Sequence, residues 1–575
     1  MNKNYPIYKT TFIDDMRSLV EESAQNFKDS IAISYKENHS DKEVKKVTFS
    51  QWRDDVRNLG TALVAEGLRE EKIAIVGENS YGWCCSFFAV MAIGSVTVPV
   101  DKELPLEDID GIISTTECKA VIYGKTAESK IQELIHNGGL RPVKMLISVE
   151  PENTLVADGK VLKTLAELQN KGAELFANGD NSYYDYKIDT SKLASIVFTS
   201  GTTGKGKGVM LSQANIGLDM TLGMYNFDIT RKTLHVLPPH HTFGSTVNYV
   251  GHLSQGCEVY ISSGLKHVSD EIREQQPTHL ILVPAFLEVM NRKIWTTARK
   301  TGKEGLLKMM MKVSDCLRKV GIDLRKKLFS SVLSAFGGKL ELVICGGAKL
   351  DEEIIRTFDS LGITILNGYG ITECSPLISA NRNKYRKPGS VGTPILACRV
   401  KIDNPDENGE GEICVKGPNV MLGYYNNPEA TAEVFDKDGF FHTGDYGKLD
   451  EEGWIYITGR KKNLIILSNG KNVYPEEIEA DLQKVEGVCE VVVYAGESKV
   501  QKDKITIVAE IFPDAELLKD KGITDLQKYF EDQVKLLNAR MPSYKAVKRV
   551  KLRDTEFQKN TSRKITRFSI DKTID

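Results

Sequence analysis

The chain has almost no net charge and no organised pattern of cysteines. Its 575 residues contain 76 Lys and Arg against 78 Asp and Glu, and 41% are hydrophobic. This balance does not suggest a nucleic-acid-binding protein and is typical of an ordinary globular protein. The ten cysteines include no CxxC pair, and only Cys84 and Cys85 are neighbours. A framework for disulfides or zinc is therefore not expected, and a reducing cytoplasm is predicted.

Signals for membrane insertion are also lacking. The first residues, MNKNYPIYKTTFIDD, contain no apolar run after a basic stretch, so no secretory signal is predicted. One uncharged run, Asn79–Val100, has the nominal length of a membrane span. Gly94 divides it into a helix-length piece, Trp83–Ile93, and a β-branched piece, Val96–Val100. A buried helix leading into a core strand is therefore predicted.

Short apolar runs alternate with helical stretches over most of the chain. The runs centre on Ile73, Val121, Val197, Ile281 and Val343, and several end in Gly or Ser. This alternation predicts an α/β fold with mostly parallel sheets, whose ligands collect at the carboxyl ends of the strands. Because the pattern changes after Trp454, a boundary near Gly459–Lys462 is predicted between a large N-terminal domain of layered sheets and helices (1–459) and a small α+β C-terminal domain (460–575).

A strand followed by a loop of Thr, Ser, Gly and Lys forms the sharpest local signal. The segment 195–211 reads SIVFTSGTTGKGKGVML. Glycines let backbone N–H groups approach phosphate oxygens, hydroxyls add donors, and lysine adds a charge. The segment nearly matches the P-loop pattern GxxxxGK[ST], but Gly208 stands where a hydroxyl should hold magnesium. A phosphate-binding loop is predicted, and the P-loop ATPase alternative is weakened.

The same segment resembles the [ST]SGTTGxPKG signature of the adenylate-forming superfamily, which includes acyl-CoA synthetases, firefly luciferase and peptide-synthetase adenylation domains. Gly206 stands where that family usually has Pro. The resemblance implies a role in ATP binding for a set of loop residues. These are Thr199, Ser200, Gly201, Thr202, Thr203, Gly204 and the catalytic Lys207.

Other motifs of the superfamily follow in order. In LPPHHTFG, His240 and His241 resemble the His motif that lines the acyl pocket, with His241 assigned a catalytic role. Gly346, Gly347 and Ala348 resemble a shelf against adenine. LNGYGITECSP (366–376) resembles the motif in which a tyrosine stacks on adenine, a threonine binds phosphate and a glutamate binds Mg²⁺. The residues concerned are Gly368, Tyr369, Thr372 and Glu373.

The C-terminal part carries the remaining motifs. Asp445, in FHTGD, resembles the aspartate that accepts hydrogen bonds from both ribose hydroxyls. By the same resemblance, Arg460 is a second contact to ribose or phosphate. Lys462 stands at the hinge position between the two domains. SNGKNVYPEEIE resembles the loop that approaches the incoming thiol, with Gly470 permitting a close approach. In NTSRKITR, Lys564 resembles the terminal catalytic lysine, and for Arg563 and Arg567 a solvated surface role stays open.

The resemblance implies ATP-dependent conversion of a carboxylic acid to acyl-AMP and pyrophosphate, followed by acyl transfer to CoA. ATP, Mg²⁺ and CoA are the implied cofactors and cosubstrate. Rotation of a mobile small domain about Lys462 would remove Lys564 from the active site after the first half-reaction. It would bring the Gly470 loop there for the second. The basic helical stretch 291–336 looks like that of long-chain fatty acyl-CoA synthetases, so a long-chain fatty acid is predicted.

Several alternatives stay open at this point. CoA is favoured because the chain ends soon after Lys564, but acyl carrier protein is the alternative acceptor. A medium-chain or aryl acid is the alternative substrate, and a luciferase-like oxygenase shares the motifs. A non-catalytic nucleotide-binding homologue is the alternative outside enzymes. The 291–336 helices predict either a solvated basic face or peripheral contact with an anionic membrane. The sequence predicts no oligomeric state.

Overall fold

The computed structural model of the chain describes residues 8–156, 158–199, 206–229, 231–467, 471–497, 505–559 and 565–574. These residues divide into two compact units. The first comprises residues up to Arg399 together with Val415–Phe441, and the second comprises Val400–Cys414 together with the residues from His442 onward. The predicted boundary at 459/460, which was placed from the sequence pattern, stays a prediction.

The strands are short, and most belong to the first unit. In chain order they are β1 Ile31–Tyr35, β2 Lys45–Thr48, β3 Lys72–Val76, β4 Val96–Val100, β5 Ala120–Tyr123, β6 Met145–Ser148, β7 Val161–Thr164, β8 Leu193–Thr199, β9 Lys207–Ser212, β10 Lys232–His235, β11 Glu258–Ile261, β12 His279–Leu282, β13 Leu342–Cys345, β14 Thr364–Gly370, β15 Leu377–Ala380, β16 Thr393–Pro394, β17 Arg399–Asp403, β18 Gly411–Lys416, β19 Gly423–Tyr424, β20 Phe441–Leu449, β21 Ile455–Arg460, β22 Ile465–Ile466, β23 Asn472–Val473, β24 Val488–Gly496, β25 Thr506–Pro513 and β26 Arg549–Leu552.

The α-helices alternate with these strands. They are α1 Met16–Phe27, α2 Phe49–Ala65, α3 Tyr81–Ala92, α4 Leu106–Thr115, α5 Glu128–His136, α6 Leu165–Ala177, α7 Ser182–Asp185, α8 Gln213–Met224, α9 His252–Ser254, α10 Val268–Gln275, α11 Pro284–Lys300, α12 Glu304–Lys319, α13 Arg325–Leu328, α14 Ser330–Ser334, α15 Glu352–Leu361, α16 Pro428–Val434, α17 Pro475–Leu482, α18 Ala515–Asp520 and α19 Leu526–Asn538. A π-helix spans Phe243–Gly251, and short 3₁₀ helices include Thr372–Cys374 and Lys461–Asn463.

Two large sheets form the first unit. Among the described residues, one sheet has the order β16-β15-β14-β13-β12-β10-β11-β1-β2, and the other has the order β19-β9-β8-β4-β3-β5-β6-β7. Strands β11, β10, β12, β13 and β14 are consecutive parallel neighbours in the first sheet. Central strands such as β4 and β5 are buried along their whole length, which is typical of parallel sheets covered by helices on both faces. This confirms the predicted α/β class.

The uncharged run Asn79–Val100 folds as predicted into helix α3 and strand β4. Gly94 joins them with a φ of +79°, a left-handed conformation that glycine adopts without strain. A Cβ at this position would also lie 2.5 Å from Cε1 of Tyr186. Across the described parts of the chain, we find no helix with the length and apolar character needed to span a bilayer.

The basic stretch 291–336 is helical, as its spacing predicted. It falls within α11, α12, α13 and α14. The first of these helices begins earlier than the stretch, at Pro284, because a proline at the first helical position has no N–H to leave unpaired.

The second unit has smaller sheets. Its described strands form the order β17-β18-β20-β21, the hairpin β22-β23 and the order β24-β25-β26. Helices α17 and α19 cover the last of these sheets, and the shared core contains Ile478, Val493, Ile511, Phe530 and Val534. The unit is therefore a mixed α+β body with its own hydrophobic core, as the sequence predicted for the C-terminal region.

Candidate active site

The first large sheet brings two glycine-containing motifs to one edge. Strands β13 and β14 run parallel, with Cys345 opposite Asn367. Residues 346–348 follow β13 directly, while Gly368 and Tyr369 lie at the carboxyl end of β14. Because the carboxyl ends of parallel strands meet at the same edge, the residues predicted to bind adenine lie side by side. Tyr369 is 8% exposed, so most of its ring is held by the protein.

Close contacts explain why small residues occupy this edge. A Cβ on Gly346 would lie 3.3 Å from Cζ of Phe243, so that ring packs against the glycine. Gly347 has a φ of +87°, which favours glycine. A Cβ on Gly244 would lie 2.0 Å from the carbonyl oxygen of Pro238, which backbone geometry does not permit. The HHTFG segment and the predicted adenine shelf are therefore in contact.

The two histidines of that segment differ in environment. His240 is buried, and its Nε2 lies 3.5 Å from Oδ2 of Asp101. Burial, and secondarily the charge of Lys102, lower the pKa of His240 to about 3. Its ring is therefore neutral at neutral pH and forms no ion pair with Asp101. His241 is partly exposed, with its ring centroid 4.4 Å from that of His240. The catalytic role of His241 stays a prediction.

The predicted phosphate loop joins two antiparallel strands. Thr199, at the end of β8, lies opposite Lys207, at the start of β9. A Cβ on Gly206 would lie 2.7 Å from the carbonyl oxygen of Thr199, so this backbone leaves no room for the proline that the family usually has there. Ser200, Gly201, Thr202, Thr203 and Gly204 lie outside the described residues, and their ATP contacts stay predictions.

The strand that follows this loop contradicts the P-loop alternative. A P-loop leads from a strand into a helix, whereas here β9 returns antiparallel to β8. Gly208 lies opposite Phe198 inside this pairing, and a Cβ there would lie 3.0 Å from Cγ2 of Ile196. The glycine is thus required by strand packing and does not stand at a vacant magnesium ligand position.

A tyrosine that the sequence analysis did not single out connects Lys207 to Glu373. Lys207 Nζ lies 4.7 Å from the ring centroid of Tyr424, and the Tyr424 hydroxyl donates to Oε1 of Glu373 at 2.9 Å. Burial, followed by the Glu373 charge, raises the pKa of Tyr424, so the phenol remains a donor at neutral pH. Pairing of β19 with β9 places Tyr424 opposite Val209. Its only sequence signal is the pair Tyr424–Tyr425 after a glycine.

A buried carboxyl supports the turn that carries Thr372 and Glu373. Asp219 is 0% exposed, and its Oδ2 accepts a hydrogen bond from the backbone N–H of Leu377 at 3.2 Å. Asn419 Nδ2 donates to the Leu377 carbonyl at 2.6 Å. Burial raises the pKa of Asp219 well above its ordinary value. These bonds hold the chain immediately after the 3₁₀ turn Thr372–Cys374.

Glu373 fits the predicted role of a magnesium ligand. Its carboxylate is partly exposed, and one oxygen is oriented by Tyr424. Mg²⁺ takes hard oxygen ligands, and it is commonly held by one or two carboxylates together with substrate phosphates. A single oriented carboxylate that shares Tyr424 with Lys207, the lysine predicted to bind phosphate, suits that arrangement.

In the second unit, Asp445 and Arg460 are direct neighbours across β20 and β21. Nε of Arg460 lies 3.0 Å from Oδ1 of Asp445. The Asp445 N–H donates to Oγ1 of Thr443 at 3.1 Å, and Gly444 between them has a φ of +71°. The sequence predicted a ribose contact for Asp445 and a ribose or phosphate contact for Arg460; the fold brings the two residues together, and their roles stay predictions.

Glu412 organises the same turn, although no motif pointed to it. Its carboxylate accepts hydrogen bonds from Lys461 Nζ at 2.7 Å, His442 Nδ1 at 3.1 Å and Gly444 N–H at 3.1 Å. Burial would raise the pKa of Glu412, but the hydrogen bonds from Lys461 and His442 outweigh it and lower the pKa. Glu412 therefore remains charged and holds the backbone next to Asp445.

The remaining predicted residues of the second unit divide into two groups. Lys462 is exposed in the 3₁₀ helix Lys461–Asn463. Gly470 and Lys564 lie outside the described residues, as does Arg563, so their roles stay predictions. Arg567 is not merely solvated, because it pairs with Glu479 and donates to the carbonyl of Val493 at 3.0 Å.

Comparison with known proteins identifies the class. Residues 20–425 match the model of the AMP-binding enzyme family, so the chain belongs to that family. It is an adenylate-forming enzyme of the α/β class, which confirms the predicted family, fold class and acid activation.

Particular relatives agree with this class. The chain is 29% identical to long-chain-fatty-acid–CoA ligase 1 of Cavia porcellus over 536 residues, which cover 88% of this chain and 75% of the relative. It is 28% identical to the chloroplastic long-chain-fatty-acid–[acyl-carrier-protein] ligase AEE15 of Arabidopsis thaliana, with 82% and 73% covered. The fold is similar to that of ATP-bound MatB from Rhodopseudomonas palustris, with a TM-score of 0.73 and 24% identity over 96% of this chain and 97% of the other.

Proposed function

We propose that the chain uses ATP to convert a long-chain fatty acid to acyl-AMP, with release of pyrophosphate, and then transfers the acyl group to CoA. The observation that carries this proposal is the contact series Lys207–Tyr424–Glu373 at the base of the predicted phosphate loop. It places the Lys207 cation near the ring of Tyr424 and the Glu373 carboxylate at the hydroxyl of the same residue. Membership of the AMP-binding enzyme family supports the same reaction.

The first half-reaction requires two anions to meet, so the site must neutralise phosphate charge and orient the reactants. Lys207 supplies a positive charge at the start of β9, and the hydroxyl of Thr372 donates to the α-phosphate. Glu373 would hold Mg²⁺, which supplies charge neutralisation on the phosphate oxygens when bound. Tyr424 holds the Glu373 carboxylate in place. A preorganised contact of this kind typically contributes about 10²–10³ in rate.

The second half-reaction uses the second unit. We infer that Lys564 assists adenylate formation and is then withdrawn as the small domain turns about Lys462. The Gly470 loop then lies beside the acyl-AMP so that a thiolate attacks its carbonyl carbon and AMP leaves. Asp445 and Arg460 hold the ribose. Each of these assignments rests on motif resemblance, and the Asp445–Arg460 contact is consistent with it.

A long-chain fatty acid is favoured by two features. The curated relatives include a long-chain-fatty-acid–CoA ligase, and the helical stretch 291–336 looks like that of such enzymes. The π-helix that begins within the HHTFG segment is buried and apolar at Val247 and Val250, which would suit the wall of an acyl tunnel. A medium-chain or aryl acid is the alternative substrate.

CoA is the favoured acceptor, and acyl carrier protein is the alternative that a specific observation supports. The Arabidopsis relative is named for transfer to that carrier protein, and its identity to this chain is within one percentage point of the Cavia CoA ligase. Sequence similarity does not separate the two acceptors, so a direct assay must do so.

Peripheral contact with an anionic membrane is proposed for helix α12. Leu306, Met309 and Val313 are 49%, 56% and 50% exposed, and their spacing places them on one helix face. Lys308 and Lys312 lie between them. A basic amphipathic helix is attracted to anionic lipid. Location in the cytoplasm, at the membrane surface, is the corresponding proposal.

The proposal is tested with carboxylic acids of increasing chain length, ATP and Mg²⁺, in parallel reactions with CoA and with acyl carrier protein. AMP, pyrophosphate and thioester are measured together. We expect equal amounts of AMP and thioester, with the highest kcat/KM for long chains. ADP and phosphate as products would contradict the whole mechanism, and no turnover with any acid would favour the non-catalytic homologue.

The membrane contact has its own assay. Sedimentation with vesicles of phosphatidylcholine, with and without phosphatidylglycerol, should show binding only to the anionic vesicles. Replacement of Leu306, Met309 and Val313 by serine should abolish that binding and leave activity on a soluble short-chain acid unchanged. Equal sedimentation of the variant would exclude this helix face.

A further inference from the structure

Three buried side chains with metal-binding atoms lie together at the edge of the first sheet opposite the candidate active site. Cys257 immediately precedes β11, and His279 is the first residue of β12. Both therefore lie at the amino ends of parallel strands, whereas the HHTFG segment and residues 346–348 follow carboxyl ends. His252 opens α9, directly after the π-helix Phe243–Gly251. All three side chains are 0–2% exposed.

Two of the three donor-atom separations lie within about 0.4 Å of those in a zinc coordination shell. Nε2 of His252 lies 3.0 Å from Nε2 of His279, and Sγ of Cys257 lies 3.8 Å from the same nitrogen of His279. All three donor atoms lie within 4.8 Å of one another. Tetrahedral zinc ligation, with its usual bond lengths, requires about 3.4 Å between two nitrogens and about 3.6 Å between nitrogen and sulfur.

An outer hydrogen bond turns the Nε2 lone pair of His252 towards the centre of the cluster. Nδ1 of His252 lies 2.8 Å from the carbonyl of Val247, which can only accept, so Nδ1 carries the proton. Nδ1 of His279 lies 3.2 Å from the Thr278 hydroxyl, which orients the second ring. Metal-binding histidines are commonly fixed by such second contacts.

One cation can bind both Nε2 atoms and Sγ of Cys257, because all three donor atoms lie within 4.8 Å of one another. We propose that His252, Cys257 and His279 form a binding site for a thiophilic d¹⁰ metal cation, Zn²⁺ or Cu⁺. No zinc-binding pattern was predicted from residue spacing, because His252 and His279 come together only through the folded sheet.

The donor set decides the class of metal. Two imidazoles and a thiolate suit soft or borderline cations and disfavour Mg²⁺ and Ca²⁺, which take oxygen ligands. Binding replaces the thiol proton of Cys257, which passes to solvent. With the thiolate charged and both imidazoles neutral, Cu⁺ would give a neutral buried complex and Zn²⁺ would leave one positive charge. Burial therefore favours the neutral Cu⁺ complex. Both ions are tested, because two imidazoles and a thiolate can bind either of them.

The consequence is structural. A bound cation would connect the end of the π-helix to the amino ends of β11 and β12. That π-helix begins at Phe243, within the HHTFG segment. The metal would thus stabilise the element that positions the predicted acyl pocket without touching substrate. This inference does not depend on the proposed reaction.

The test begins with the full chain, prepared under reducing conditions without a histidine tag. We expect elemental analysis to find about one equivalent of zinc or copper per chain that survives gel filtration in EDTA. After stripping with a stronger chelator, Zn²⁺ and Cu⁺ are added separately. The cation that binds should restore the melting temperature, which distinguishes the two ions.

Co²⁺ provides a spectroscopic probe of the thiolate. The stripped wild type should show a thiolate-to-cobalt charge-transfer band, and Cys257→Ser should lose it. Cys118→Ser is the matched control, because Cys118 is also fully buried and lies just before strand β5 of the other sheet. The wild-type measurements decide the matter even if a variant does not fold. A wild type with no metal, no cobalt band and no thermal shift would overturn the proposal, as would a band retained in Cys257→Ser.

Discussion

The two units hold their predicted site residues in different ways. In the first unit, Glu373 contacts a Tyr424 side chain that is almost buried, and strand pairing sets the position of that tyrosine. In the second unit, the Asp445 carboxylate pairs with an Arg460 side chain that is 47% exposed. Strand pairing positions both contacts, but in the second unit a buried carboxylate meets an arginine that is half exposed.

This difference indicates a division of labour. Electrostatic stabilisation of a transition state requires groups that do not reorganise during the reaction, which suits the first unit. Solvent screens the half-exposed Arg460, so its ion pair with Asp445 contributes little to stability. The second unit is therefore suited to groups that must engage ligand in one half-reaction and change contacts in the next. The predictions below test this comparison.

The largest effect is expected for Lys564→Ala in the second unit. Adenylate formation should fall by about 10²–10³, because a charge on the leaving phosphate loses its partner. Thioester formation from preformed acyl-AMP should be nearly unchanged. Each half-reaction is measured separately, by pyrophosphate release and by thioester formation. Equal losses in both would contradict the assignment of this lysine to one half-reaction.

Glu373→Gln in the first unit should reduce adenylate formation by about 10². The amide keeps the shape of the side chain but is a poor ligand for Mg²⁺, so the Mg²⁺ concentration for half-maximal rate should rise. Glu133→Gln, on the exposed face of α5, is the control and should behave as wild type. An unchanged Mg²⁺ requirement would remove Glu373 from the metal site.

Tyr424→Phe should have a smaller effect, about tenfold, since a hydrogen bond to a charged group contributes about 1.5 kcal/mol. We expect the loss in kcat for adenylation and a moderate rise in the Mg²⁺ requirement, with little change in thermal stability. Tyr425→Phe, at the adjacent residue, removes a hydroxyl outside this contact and is the matched control. If both variants lost activity equally, the hydrogen bond to Glu373 would not be the cause.

The smallest predicted effect is on pH-dependent stability. Burial lowers the folded-state pKa of His240 to about 3, so unfolding at mildly acidic pH takes up a proton. The stabilisation is present above the unfolded pKa and is lost as pH falls below it, by about 1.4 kcal/mol at pH ~5.5. In urea unfolding, the free energy of unfolding should change less between pH ~7.5 and pH ~5.5 for His240→Gln than for the wild type. His136→Gln, at an exposed histidine, should leave the difference unchanged.

Local sequence predicted those site residues that belong to one continuous motif. The runs around Ile73, Val121 and Val343 are the strands expected from their composition, and Gly94 separates helix from strand. Tyr424 and Glu412 were not predicted. Glu412 lies 30 residues before His442, and it reaches that residue only because β18 and β20 are neighbours in a sheet. A pattern search along the chain does not detect contacts of this kind.

By itself, the sequence determined the family, the α/β class and the order of the nucleotide-binding motifs, because these depend on short runs with fixed local chemistry. The tertiary structure decided which side chains support those motifs: Tyr424 behind Glu373, Asp219 behind the Thr372 turn, and Glu412 beside Asp445. It also placed the Nε2 atoms of His252 and His279 at a distance of 3.0 Å from each other. Such pairs arise from strand pairing and burial, which join residues far apart in the chain, so their chemistry exists only after folding.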